Sequence, residues 1–334
     1  MSISKAVSSQ RALSTIAIAV ASIYLSVFPF ANAMAQSSVP PLVDTAWLKA
    51  HLNDANMVIL DIYPAASDKS TYEKGHIPGA VFTGFVSDGW RFSVNGVPGL
   101  LPPQKNIDAV IGRFGIAPGT RVILVPAGSG PTGVDVFSAA TWIYWALNAE
   151  GQHYVSILNG GNEAWRSDST DPIETGAATP HAVTFTGKLQ PGYMATAATV
   201  EAAMRNGTPI LVDARPPEQF EGKVKSPVVL KAGTIPGAIN LPIQYMLTAT
   251  GQGLRPESEI KTQIETAGLN MNKPMITFCN TSYLASGDWF VLREVEKDPN
   301  VALYTGSMAD WTRHPDLPVV PGTLRDGESA ARSP

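Results

Sequence analysis

Short apolar runs rich in β-branched residues recur along the chain, each followed by a segment whose apolar positions fall at helical spacing. Residues 58–61 (VILD), 122–125 (VILV), 210–213 (ILVD) and 275–278 (MITF) read as buried strands. Behind the last of them Trp289, Leu292 and Val295 stand at helical spacing, with Phe290 and Val291 beside them, so a helix begins close after residue 279. Strands that alternate with helices in this way predict an α/β fold with mostly parallel sheets wrapped by helices.

The pattern occurs twice. VILD is followed by GHIPGA at 75–80, and ILVD by GTIPGA at 233–238. FGIAPG at 114–119 matches AGLNMN at 267–272, and LNGGNEAW at 158–165 matches YTGSMADW at 304–311. The chain therefore reads as a tandem duplication, one domain over residues 40–168 and a second over 193–322, followed by a tail at 323–334. The segment 169–192, rich in Thr, Pro, Gly and Ala, reads as the linker. The IPGA turns act as bends, since Pro fixes φ and Gly permits positive φ; His76 beside the first reads as a turn histidine bonded to backbone.

The N-terminus departs from this pattern. Lys5 and Arg11 precede an apolar stretch at 12–30, and two A-x-A sites follow, ending at Ala33 and Ala35. That is the layout of a secretory signal peptide over residues 1–35, cleaved after Ala35, with an uncleaved anchor as the alternative. The expected location is the periplasm, with no stable membrane insertion after cleavage. Formal net charge is −4 over 334 residues, which gives no basic surface for nucleic acid. Five scattered histidines show no ligand spacing, so no metal site is expected.

Export sharpens the reading of Cys279, the one cysteine of the chain. An oxidising compartment favours paired cysteines, and a single one cannot pair within its chain. Cys279 is thus a buried small hydrophobe, a link to another chain, or a reactive thiol. It stands where a parallel strand gives way to a helix, the position at which open α/β sheets bind ligands. There the loop Asn280, Thr281, Ser282, Tyr283 and Leu284 can turn successive N–H groups toward the sulfur, and the helix dipole adds to them; both favour thiolate.

The duplication, the D-x-R of Asp213 to Arg215, the paired IPGA turns, the single cysteine in the second copy and the closing G-x-x-x-x-W motifs together resemble the two-domain rhodaneses, the thiosulfate and 3-mercaptopyruvate sulfurtransferases. The resemblance covers residues 40–320. It implies two rhodanese-like domains with the site in the cleft between them, the second domain catalytic and the first without a nucleophile. Pro126 takes the place of Cys279 in the first copy, ahead of a loop of small residues. It further implies a sulfurtransferase in which Cys279 takes the outer sulfur of a small anionic donor as a persulfide and hands it to a thiophilic acceptor, a thiol-bearing protein among the candidates, without a cofactor. Arg215 matches the family arginine for the donor's anionic end, its alternative being a salt bridge to Glu218 or Glu221. Trp90 and Arg91 are placed by analogy near the cleft. Lys223, Lys225 and Lys231 lie in a six-residue insertion relative to the first copy and read as a solvated loop.

The cysteine loop departs from the family pattern. Asn280, Ser282 and Leu284 stand where an Arg or Gly, a Gly, and a Thr or Arg are usual, so the loop has no cation of its own. Tyr283 caps the pocket, donates a hydrogen bond there, or simply packs. A cysteine phosphatase is excluded, because its loop needs an arginine where Ala285 stands. The rival to an enzyme is a rhodanese-like carrier or binding module that holds persulfide sulfur without turnover.

Overall fold

The computed structural model describes residues 39–64, 68–128 and 134–325. The signal-peptide reading at 1–35 lies outside the described residues. The first half runs β1 (Leu42–Val43), α1 (Thr45–His51), β2 (Met57–Tyr63), α2 (Lys69–Lys74), β3 (Val81–Gly84), β4 (Phe92–Val94), β5 (Val97–Leu100), α3 (Gln104–Arg113), β6 (Arg121–Pro126), α4 (Val134–Ala149), β7 (Val155–Leu158) and α5 (Gly161–Arg166). The second half repeats the order with β8 (Met194–Ala195), α6 (Ala197–Asn206), β9 (Ile210–Asp213), α7 (Pro217–Phe220), β10 (Ile239–Asn240), α8 (Glu257–Ala267), β11 (Met275–Phe278), α9 (Tyr283–Phe290), β12 (Val301–Tyr304) and α10 (Ser307–Trp311).

Each half builds a five-stranded parallel sheet, ordered β1-β7-β6-β2-β3 in the first and β8-β12-β11-β9-β10 in the second. The orders are the same element for element, as a duplication requires. The central strands are buried from Val122 onward in β6 and throughout in β11, which is why they read as unbroken apolar runs rather than alternating ones. Register makes the equivalence exact at the loop. Asp61 pairs with Val125 and Asp213 with Phe278, so Pro126 and Cys279 occupy the same place, one residue further on.

The two sheets meet through α4 and α9. Helix α4 is buried wherever its side chains are described, as an all-round apolar helix must be. Small residues at the crossing admit close approach: Ser286 Oγ lies 2.9 Å from Thr141 Oγ1 and donates to Ser138 O. Phe290 packs edge-on against Tyr144 and Phe137. After α9 the backbone widens into a π-helical turn over Val291–Val295. One core thus runs through both halves.

The segment between the halves crosses the first domain, bonding through Glu174 to His76, Val183 to Gly112, Gly187 to Asp108 and Gln190 to Ala149. No helix among the described residues is long and apolar enough to cross a membrane.

Candidate active site

Cys279 follows β11 directly and is 1% exposed. Two residues with left-handed backbone shape its loop: Ser282 at φ 64° and Ser307 at φ 51°. Such angles are costly for residues with a Cβ and persist where surrounding contacts hold them. Here the contacts converge on Ser307 Oγ, which accepts from the N–H groups of Cys279 (3.1 Å) and Ser282 (2.9 Å) and donates to the carbonyl of Tyr304 (2.9 Å). The first turn of α10 returns the favour, with N–H of Met308 on Cys279 O and of Ala309 on Asn280 O. Ser307 pins the loop and was missed in the sequence. Its signal was present, since Gly161 holds the matching place in the closing motif of the first copy with φ 56°.

The backbone N–H groups of Thr281, in the loop, and of Ala285, just after it, act on the sulfur in favour of its charged form. Burial nevertheless dominates and pushes the thiol above its ordinary pKa. Those N–H groups and the guanidinium of Arg91 act the other way, while the Asp213 carboxylate adds to the rise.

The remaining loop residues divide. Asn280 donates to Gln219 Oε1 at 2.8 Å, and its own Oδ1 is buried without a partner. Ser282 is fully buried; its Oγ donates to Gly99 O in the first domain and accepts from Trp142 Nε1. Thr281, Tyr283 and Leu284 are half-buried. Tyr283 lies 5.3 Å from the Phe85 ring, so it packs across the domain boundary.

Arg215 is 1% exposed and grips Asp213: Nε lies 2.9 Å and Nη2 2.6 Å from its carboxylate oxygens, and Nη2 also donates to Gly233 O. Thr234 Oγ1 donates to the same carboxylate at 2.6 Å. The salt-bridge alternative named Glu218 or Glu221; the partner is Asp213, two residues upstream. Lys223 pairs with Glu221, Lys225 bonds to Val229 O, and Lys231 to carbonyls of Pro315 and Leu317. Trp90 belongs to the core of its own domain, stacked on Phe114 and donating to Thr83.

Arg91 does cross the boundary. Its Nη2 donates to the carbonyl of Thr281, and its guanidinium lies over the rings of Phe85, Trp142 and Tyr283. Among the described residues no cluster of His, Cys, Asp and Glu could hold a metal ion.

Two parallel α/β domains of equal strand order, with one cysteine at a strand-to-helix loop on their boundary, define the class. The rhodanese-like domain model matches residues 44–168 and 196–314, and the chain belongs to the rhodanese family. It is 30% identical to the 3-mercaptopyruvate sulfurtransferase of Escherichia coli over 292 residues, 84% of this chain and 97% of that one. It is 29% identical to the thiosulfate sulfurtransferase of Pseudomonas aeruginosa over 285 residues, 85% of this chain and 98% of that one. The crystal structure of an Escherichia coli 3-mercaptopyruvate sulfurtransferase superposes with a TM-score of 0.68 at 26% identity, over 80% of this chain and 99% of that one. An anaerobic ergothioneine biosynthesis enzyme from Chlorobium limicola shares the fold, with a TM-score of 0.72 at 19% identity over 85% of this chain and 70% of that one. The protein is a transferase of the sulfurtransferase class.

Proposed function

We propose that Cys279 carries the sulfur, taking it from a small anionic donor of the thiosulfate type and passing it to a thiophilic acceptor. The observation that carries this reading is the thiol's setting. It is the one cysteine of the chain, it ends a buried strand in a loop held by Ser307 Oγ, and the Arg91 guanidinium donates to Thr281 O two residues on. The thiol first loses its proton to solvent. The thiolate then attacks the outer sulfur of the donor: a bond from Sγ to that sulfur forms, the donor's sulfur–sulfur bond breaks, and sulfite leaves with the electron pair. Cyanide or an acceptor thiolate next attacks the outer sulfur, and Cys279 departs as thiolate. The N–H groups of Thr281 and Ala285 hold the terminal sulfur of the intermediate persulfide, whose negative charge they match.

The second reading, a carrier that holds persulfide without turnover, draws on the deep burial of the thiol. Thiocyanate formation from thiosulfate and cyanide separates the two. The wild type is expected to turn over and Cys279→Ser to fall to background; equal rates in both would sink the enzymatic reading. We further propose that the protein is exported to the periplasm and cleaved after Ala35, on the strength of the sequence. Intact mass of the mature protein is expected to start at Gln36, with a fraction heavier by one sulfur atom.

A further inference from the structure

The cation of this site comes from the domain that has no thiol. No basic side chain occurs from Cys279 to Leu284, and the Arg215 head is occupied by Asp213 and Gly233. Arg91 instead leads into the hairpin of β4 and β5, which folds onto the cysteine loop. Its guanidinium carbon lies 5.6, 6.0 and 5.5 Å from the ring centroids of Phe85, Trp142 and Tyr283. Room for it is made by Gly99, at φ 84°: a Cβ there would collide with Arg91 Nη2 and stand 2.6 Å from Thr281 O. Nη2 is spent on Thr281 O, whereas Nε is buried with no hydrogen-bond partner.

An aromatic cage attracts a cation but cannot neutralise it, and a buried charge without a counter-charge is costly. The ionisable groups that act on Arg91 are the Cys279 thiol and the Tyr283 phenol. Through Thr281 O the guanidinium sits on the cysteine loop, two residues from a thiol that can be its partner only as thiolate or persulfide, and Nε is a buried N–H without a partner. We infer that Arg91 is the counter-cation of the Cys279 thiolate and, through Nε, the group that holds the anionic end of the sulfur donor. This deepens the proposed function and rests on Cys279 as the sulfur carrier. The guanidinium exchanges no proton in the reaction; it lowers the energy of the attacking thiolate and places the donor's oxygens beside it.

The test compares full-length wild type with Arg91→Gln and Arg91→Lys. Alkylation of Cys279 by neutral iodoacetamide, followed against pH, reads the thiol without requiring turnover. Arg91→Gln is expected to move the alkylation midpoint up by about one pH unit or more, which makes reaction about tenfold slower below both midpoints. KM for thiosulfate should rise several-fold in the same variant. Arg91→Lys should restore most of the midpoint but little of KM, because an ammonium offers a point charge and no planar fork. An unchanged midpoint and KM in Arg91→Gln overturn the inference. Should that variant not fold, the wild type decides: anionic iodoacetate should alkylate Cys279 faster than iodoacetamide, an advantage that salt removes, and the reverse order at low salt overturns the inference. Turnover surviving in Cys279→Ser would instead count against the sulfur-carrier reading, so the two failures are distinct.

Discussion

Asp213 and Asp61 show how one strand-end position acquires different chemistry in the two copies. Asp213 is buried with Arg215 and Thr234 on its oxygens, a pair that is costly to break because removing one partner strands the other charge. Arg215→Ala is expected to lower stability by about 3 to 5 kcal/mol. Denaturant melts would show this, and an unchanged midpoint together with a raised donor KM would return Arg215 to the donor-binding role. In the first copy Tyr63 replaces the arginine, and buried Asp61 has the side-chain amide of Asn162 on both its oxygens. Burial pushes its pKa from 3.8 to about 7, with the Arg166 charge and the Asn162 bond acting against the rise. The folded state then binds the proton more tightly than the unfolded chain, so the contribution of Asp61 to stability is greatest below pH 3.8 and is lost as pH rises through about 7. The full effect is at most on the order of 4 kcal/mol. Asp61→Asn, which mimics the neutral acid, should raise the thermal midpoint at pH 8 and lose that advantage toward pH 4; a gain equal at both would show that Asp61 does not titrate there. The D-x-R spelling located Arg215 in the sequence, but its engagement by Asp213 follows from how the strand end meets the 233–234 turn, a contact between segments about 20 residues apart.

At the scale of elements, the legible parts were those whose physics is local. The buried runs became β2, β6, β9 and β11, and the apolar spacing behind Cys279 became α9 with Trp289 and the π-helical turn with Leu292 and Val295. The strand-to-helix loop at the cysteine was legible for the same reason, as the change from buried run to helical spacing falls at that residue. The β4–β5 hairpin, which brings Gly99 to the loop, was not read. Its first strand is exposed at all three positions, so it carries no burial pattern. A different signal was there: Asn95 and Gly96, with φ of 51° and 77°, are the two residues of a tight hairpin turn. Ser307 escaped because its work is done across the sheet, from the end of β12 to the end of β11, and no spacing rule joins residues 279 and 307. Arg91 escaped as a functional group because its meaning depends on three rings from two domains.

Across the whole molecule, the duplication is completed by an exchange of loops. The segment after β3 reaches the cysteine loop of the second domain through Arg91 and Gly99, and the segment after β10 reaches the silent loop of the first domain through Gln252. Gln252 Nε2 donates to Gly128 O at 3.1 Å, and its Oε1 accepts from Glu163 N at 3.0 Å, one of the N–H groups that the first turn of α5 cannot satisfy internally. Two residues on, Leu254 N donates to Asn159 Oδ1 at 2.8 Å. One domain thus sets an amide on Gly128 and on the first turn of α5 in its neighbour, while the neighbour sets a guanidinium on Thr281 of the reactive loop in return. If the amide is only a seal, Gln252→Ala leaves two backbone groups without partners, costs about 1 to 3 kcal/mol and lowers the thermal midpoint by a few degrees. Thiocyanate formation should stay within about twofold of wild type, because the hydrogen bonds of the Gln252 side chain go to Gly128 and Glu163 and not to the cysteine loop. Activity lost at undiminished stability would show instead that the Gln252 contact governs how Arg91 is held on Thr281.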